Sequence, residues 1–117
     1  MTLQELYEKI KGNYSSITDR LRTEERIRKF VLLFLKDTSS QSLIQALQQG
    51  DAEEAFRAAH TLKGICMNLS FDALYQISNE MTEYLRGGDI QRASACLSDF
   101  ISCYEKHVQA ISDYAEY

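Results

Sequence analysis

The chain has 117 residues, of which 44% are hydrophobic and 26% are charged, with five glycines and no proline or tryptophan. This length fits one domain with a real core, and the lack of proline favours helices, whose interiors exclude it. A net charge of −4 disfavours binding to nucleic acid or to an anionic membrane through bulk charge. We therefore predict a single, acidic, helical domain over residues 1–117.

The cysteines and the apolar runs indicate the cellular compartment in which the protein is expected to work. Cys66, Cys96 and Cys103 are an odd number without metal-binding spacing, which predicts neither a disulfide framework nor a metal site. We interpret them as buried apolar residues in a reducing compartment. The longest apolar run, Phe30 to Leu35, has six residues, whereas a membrane span needs roughly 20. The first residues do not resemble a signal peptide, so the expected location is the cytoplasm.

The first predicted helix is short and lies at the N-terminus. Thr2 and Glu5 match a capping box, in which each side chain accepts a hydrogen bond from the backbone amide of the other residue. The helix is expected over about 2–11. Gly12 and Asn13 then break it, because both residues favour turns.

A second helix start, at Thr23, opens a bundle predicted over about 23–115. Acidic residues follow Thr23, where the helix macrodipole favours them. The first apolar stripe of this helix consists of Ile27, Phe30, Val31 and Phe34. Beyond residue 40 the apolar positions lie on another side. A helix near 24–49 is therefore expected either to kink or break near residues 37–40 or to pack on two sides.

Residues typical of turns predict where the remaining helices begin and end. Gly50-Asp51 and Gly88-Asp89 each place a glycine where a helix ends and a capping aspartate where the next begins. Another start near residue 71 completes the pattern, which predicts helices near 51–69, 71–87 and 89–115. Such short connections make neighbouring helices antiparallel. The predicted fold is all-α: an up-down-up-down four-helix bundle with an extra short N-terminal helix.

One helix of this bundle carries residues suited to chemistry. Its outward stripe, at positions i, i+3, i+4 and i+7, consists of His60, Lys63, Gly64 and Met67. A glycine inside a helix costs about 1 kcal/mol relative to alanine, and we interpret Gly64 as clearing a partner's approach to His60. Imidazole is a nucleophile near neutral pH, and the Lys63 ammonium can neutralise a transferred phosphoryl group. The stripe therefore predicts a phosphoryl-accepting surface.

The stretch from Ala59 to Gly64, AHTLKG, followed by Asn68-Leu69, resembles the signature of histidine-containing phosphotransfer (HPt) domains. These domains act in multistep His–Asp phosphorelays, and the resemblance extends from about residue 20 to the end. It implies that His60 accepts a phosphoryl group from a receiver-domain aspartate and passes it to another receiver. Lys63 would assist this transfer and Gly64 would open the surface. The implied partners are response-regulator receiver domains and a hybrid sensor histidine kinase. We expect a monomeric phosphocarrier rather than an enzyme, with no cofactor and no metal ion.

Four further residues are expected to contact a docked receiver: Thr61, Met67, Asn79 and Thr82. In many members of the family the positions of Ile65, Cys66 and Met67 hold small residues, and the position of Ser70 holds glycine. We interpret Met67 either as a flexible apolar contact for the receiver or as a residue that narrows the set of receivers that fit. A side-chain amide on the following helix often supports the phosphorylated histidine in this family. The matching stretch offers Asn79 and Thr82, and which of them has that role is left open.

Other functions compete with this interpretation. A structural or dimerising four-helix module would make His60 incidental. The phosphoacceptor domain of a sensor kinase is disfavoured, because that domain usually has a proline soon after its histidine and works with a glycine-rich ATP-binding domain. The HPt domain of a chemotaxis kinase, phosphorylated by a kinase domain, stays open. No chemical role is predicted for His107, and the basic run from Arg20 to Lys29 is interpreted as a solvated face or a guide for an acidic receiver.

Overall fold

A computed structural model describes residues 1–116, in which every regular element is a helix. In chain order these are α1 (Leu3–Lys9), α2 (Tyr14–Leu21), α3 (Glu24–Phe34), α4 (Ser39–Gln49), α5 (Ala52–Leu69), α6 (Asp72–Arg86), α7 (Ile90–Ala95) and α8 (Leu97–Ala115). Helix α5 packs along both α4 and α6, and α7 and α8 complete the bundle against α6. The predicted all-α bundle with a short N-terminal helix is confirmed. Within the described residues, no helix is long and apolar enough to cross a membrane.

The N-terminal segment contains one predicted helix and one that was not predicted. In α1 the Thr2 hydroxyl accepts from the Glu5 amide at 3.0 Å, and the Glu5 carboxylate accepts from the Thr2 amide at 3.0 Å. The capping box is therefore confirmed. Helix α2 begins where only a break was expected, because the Asn13 side chain caps it by accepting from the Ser16 amide at 2.9 Å.

The predicted interruption of the next helix is confirmed, and it separates α3 from α4 at residues 35–38. Hydrogen bonds from residue i to residue i−3 tighten the end of α3, and Asp37 then accepts from the Ser39 amide at 2.9 Å. The apolar stripe of α3 is partly wrong. Its other three members are buried, whereas Phe30 is 42% exposed.

The turns around α5 position the helix that carries the predicted site. Gly50 ends α4 in the left-handed region, with φ of 73°, and Asp51 caps α5 by accepting from the Glu54 amide at 3.1 Å. At the other end Ser70 takes the same left-handed conformation, with φ of 57°, although it has a side chain. Two-residue turns therefore hold α5 antiparallel to both α4 and α6.

The last predicted helix, over 89–115, is divided in the structure. The Cys96 amide donates a hydrogen bond to the Ala93 carbonyl at 3.1 Å. This bond from residue i to residue i−3 interrupts the α-helical pattern between α7 and α8. Helical spacing predicts one apolar stripe along this segment, which consists of Ile90, Ala93, Leu97, Phe100, Tyr104, Val108 and Ile111. Three of these residues, Ala93, Phe100 and Ile111, are fully buried, and the others are half-buried. The prediction of one continuous helix is thus wrong at a single position, while the buried face is largely as expected.

Candidate functional site

Helix α5 has one face in the core and one face in solvent. Its buried residues are Ala55, Ala58, Ala59, Leu62, Cys66 and Leu69. The face opposite to these residues carries His60 and Met67, which are exposed, and Lys63 and Gly64, which are half-buried. The helical period alone produces this division, so the outward stripe that the sequence predicts is present in the folded protein.

The imidazole of His60 is exposed to solvent and stacks on an aromatic neighbour. Its ring centre lies 5.8 Å from that of Phe56, and the two ring planes are inclined by 14°. Residues four apart are neighbours on a helix surface, which is why these rings meet. Near-parallel stacking restricts the orientation of the imidazole, while the residue as a whole stays exposed. Phe56 has no role in the sequence analysis, although its position at i−4 from His60 was a usable signal.

Lys63 lies one turn from His60 and faces α6. Its ammonium nitrogen is 3.9 Å from a carboxylate oxygen of Glu83, and its side chain is only 19% exposed. The second carboxylate oxygen of Glu83 accepts from Nε of Arg86 at 3.0 Å. The guanidinium carbon of Arg86 lies 5.2 Å from the centre of the Phe56 ring. A chain of contacts therefore connects the lysine to the aromatic ring that stacks on His60.

Gly64 is the one glycine within a helix of the described chain, and nothing packs against it. A Cβ atom built on Gly64 would meet no heavy atom outside its own helix backbone within 4 Å. Gly12 makes the contrast, because a Cβ there would lie 2.7 Å from the Tyr7 ring and 3.0 Å from the Ser70 carbonyl. Gly12 is required by a close approach within the fold. No comparable internal requirement acts at Gly64.

The four predicted docking residues fall in different environments. Thr61 is exposed and Met67 is 51% exposed, both on α5, while Asn79 is half-buried on α6. Thr82 is fully buried, and its hydroxyl donates to the Ser78 carbonyl at 2.6 Å. This placement does not fit a docking role, because the side chain points into the bundle and its hydroxyl proton is already used.

An apolar surface lies beside α5 on the side away from α6. Phe30 and Leu33 of α3 are 42% and 47% exposed, which is unusual for large apolar side chains in this protein. They line a groove of about 440 Å³ that also includes Leu21 of α2 and Ile65 of α5. The sequence does not predict this surface, because helical periodicity places Phe30 on the same apolar stripe as three buried residues. Ile65 directly follows Gly64 in the chain, so the groove borders the helix that carries the site.

The C-terminal end of α5 is held by residues far away in the sequence. The Arg20 guanidinium donates to the carbonyls of Met67 and Asn68 at 2.6 and 2.7 Å. The hydroxyl of Tyr7 donates to the Leu69 carbonyl at 2.8 Å. Helix ends leave such carbonyls without partners, and a cation there is also favoured by the macrodipole. Arg20 is exposed, as expected for a solvated face, but its hydrogen bonds to α5 give it a structural role that the sequence does not predict.

His107 and the cysteines lie away from the outward stripe. The ring of His107 is buried against Phe71, and its Nδ1 is 2.8 Å from the Cys103 carbonyl, to which it donates. Burial lowers the pKa of His107 below its ordinary value of 6.5.

Burial raises the pKa of the Cys66 thiol to about 12, so this cysteine is an inert core residue. Cys96 and Cys103 are half-buried rather than buried. Within residues 1–116, no group of histidine, cysteine and acidic side chains is arranged to hold a metal ion.

Comparison with known protein families identifies the class to which this bundle belongs. The model of the Hpt domain matches residues 36–114 of the 117-residue chain, and the chain belongs to the Hpt domain family. Hpt domains are phosphocarriers in His–Asp phosphorelays, with receiver domains and kinases as the partners that membership indicates. No curated protein and no solved structure matches the chain in the other two comparisons.

Proposed function

We propose that this protein carries a phosphoryl group on His60 between two receiver domains of a multistep phosphorelay that begins at a hybrid sensor histidine kinase. The observation that carries the proposal is an exposed imidazole next to a helix glycine with open space above it. Exposure makes the nucleophile reachable, and the missing side chain at i+4 lets a protein surface approach it. The carrier is proposed to act as a cytoplasmic monomer.

The transfer step uses groups present at the site. An unprotonated nitrogen of His60 attacks the phosphorus of the receiver's aspartyl phosphate, and an N–P bond forms as the O–P bond breaks. The receiver's carboxylate leaves with the electron pair, and the other imidazole nitrogen keeps its proton. Lys63 neutralises charge on the phosphoryl oxygens during the transfer. Passing the group to a second receiver reverses the same bond changes.

The receiver is proposed to dock over α5 on the side of Gly64. Thr61 and Met67 lie on this surface, and Asn79 lies on the neighbouring helix, where its amide is the remaining candidate to support the phosphorylated histidine. Phe30 and Leu33 are exposed on the groove that α5 borders through Ile65, and they add apolar area for the receiver. Burying exposed apolar side chains at the centre of an interface is a general source of affinity.

The test is phosphoryl transfer from a panel of phosphorylated receiver domains, followed by location of the label. At least one receiver is expected to label the wild-type protein at His60 with an acid-labile, base-stable group. The variant His60→Gln is expected to lose this label completely while keeping its helical circular dichroism, because His60 is exposed and outside the core.

His107 is the internal control in the same protein, since a buried imidazole is expected to remain unlabelled. Equal labelling of wild type and His60→Gln would overturn the assignment of the phosphoacceptor. Labelling by a kinase domain but by no receiver would favour the chemotaxis type of HPt domain. If neither donor labels the protein, the structural or dimerising module becomes the better description.

A further inference from the structure

The Lys63 ammonium, which is expected to assist transfer to His60, is paired with a carboxylate in this structure. The Lys63 ammonium lies 3.9 Å from Glu83 on the adjacent helix α6, and only 19% of the Lys63 side chain is exposed. The sequence places Lys63 beside His60 by helical spacing but says nothing about Glu83, which comes from another helix. The role of this acidic group, which pairs with the lysine expected to assist His60, therefore has to be derived from its contacts.

Glu83 is itself held in place. One of its oxygens faces Lys63, and the other accepts a hydrogen bond from Arg86 at 3.0 Å. Arg86 in turn lies over Phe56, with 5.2 Å between the guanidinium carbon and the ring centre. These contacts place the carboxylate between two cations, one of which lies over the aromatic ring on which His60 stacks.

We propose that Glu83 is a positioning residue, which orients the Lys63 ammonium in the unphosphorylated protein and competes for it with the phosphoryl group on His60. This inference rests on the proposed function of His60. A phosphoryl group carries more negative charge than a carboxylate, so Lys63 turns to it when it arrives, and Arg86 still balances Glu83. When the phosphoryl group departs, Lys63 returns to Glu83.

The competition has a thermodynamic consequence. Part of the attraction of Lys63 for the phosphoryl group is offset by the pairing with Glu83 that it gives up. Without the Glu83 charge, more of the phosphoryl group should reside on His60 at equilibrium with a receiver. Because exposed ion pairs are weak, the expected change in the equilibrium constant is about two- to fivefold.

The first experiment measures this equilibrium with the receiver that labels wild-type His60, approached from both directions at dilute concentrations. The variant Glu83→Gln is expected to raise the share of phosphoryl on His60 by about two- to fivefold in the equilibrium constant. How fast the receiver docks does not affect this quantity, so a purely structural disturbance of the surface would not produce the change. Glu80→Gln is the matched control, since Glu80 is an exposed acid on the same helix that contacts Tyr84 instead.

A double variant tests whether Glu83 acts through Lys63. In the Lys63→Ala background, the change Glu83→Gln is expected to lose most of its effect, because the competition requires the ammonium. An effect of full size in that background would mean direct repulsion of the phosphoryl group by Glu83 and would overturn the proposal. An equal effect of Glu80→Gln and Glu83→Gln would overturn it as well.

The second experiment needs no phosphorylation and separates this proposal from the first. Acetylation of lysine amines by a small reagent is followed by peptide mass spectrometry, with the exposed Lys36 as internal reference. Glu83→Gln is expected to speed the labelling of Lys63 relative to Lys36 by about two- to fivefold, since the ion pair is lost. An unchanged ratio would overturn the role of Glu83. Failure of every donor to label His60 would instead overturn the proposed function.

Discussion

At the scale of single residues, Gly64 has opposite effects on the stability of the fold and on the proposed transfer. Its neighbours leave open space where a side chain would be, and its position inside α5 makes it costly for helix stability. Gly64→Ala is therefore expected to raise the free energy of unfolding by about 1 kcal/mol, measured by urea denaturation. Transfer from the receiver should slow on the order of 10- to 100-fold, because the new methyl group displaces the docked partner.

A small phosphoryl donor distinguishes obstruction from damage to the histidine. Phosphoramidate reaches the imidazole without a protein surface, so it should phosphorylate Gly64→Ala at the wild-type rate. Slower labelling by both donors would mean that the substitution disturbs His60 itself. Unchanged transfer from the receiver would remove Gly64 from the docking surface.

The sequence predicts the outward stripe of α5 correctly, but it does not predict which residues of the other helices contact α5. The stripe follows from the period of one helix, and no information from elsewhere in the fold is needed. Thr82 was misplaced because a buried hydroxyl is tolerated when it donates to the carbonyl one turn back, as it does to Ser78. Phe30 was misplaced in the opposite sense, since periodicity marks an apolar face without revealing whether anything covers it.

At the scale of elements, α5 depends on a helix that was not predicted. Arg20 of α2 donates to two carbonyls at the end of α5. Arg20→Ala is expected to lower the free energy of unfolding by roughly 1–2 kcal/mol, because charge-assisted hydrogen bonds are lost. Hydrogen exchange should become faster for amides in the last turn of α5, which identifies where the stabilisation is lost.

Arg26→Ala is the matched control for this change. Arg26 is an exposed arginine on α3, and its backbone amide keeps its bond to the Thr23 hydroxyl when the side chain is shortened. The control should leave exchange at the end of α5 as in wild type. The same exchange pattern in both variants would attribute the effect to the loss of positive charge alone.

The sequence contains local features that favour α2, but the glycine and asparagine before it were interpreted only as the end of the first helix. Gly12 and Asn13 suggested only a break, although an asparagine that ends one helix can also begin the next. The inward side chains Ile17 and Leu21 follow at helical spacing, over a segment too short to give a strong period. The bonds from Arg20 to α5 span nearly half the chain, and no local pattern predicts such a contact.

At the scale of the whole molecule, the buried His107 makes stability depend on pH. Burial lowers its pKa in the folded state below 6.5, so the unfolded state binds the proton more readily. The stabilisation is fully present above pH 6.5 and is lost as the pH falls below that value toward the folded-state pKa. The free energy of unfolding should fall in this range by at most about 1.4 kcal/mol per pH unit, which is the slope for the uptake of one full proton.

His107→Leu is expected to flatten this slope between pH 5 and 6.5, as measured by denaturation at a series of pH values. Leucine keeps the apolar contact with Phe71 and cannot bind a proton. His60→Gln, which removes the exposed imidazole, should retain the slope because His107 remains. A slope that persists in His107→Leu would assign the pH dependence to other groups.

The contacts at the end of α5 also decide what a transferable unit of this protein would be. The family match begins at residue 36, yet Tyr7, Asn13 and Arg20 all bond to the backbone where α5 ends. A fragment cut at the matched boundaries would carry the histidine on a helix whose last carbonyls had lost these partners. Fusing this carrier to another signalling protein therefore requires the first 35 residues to travel with the bundle.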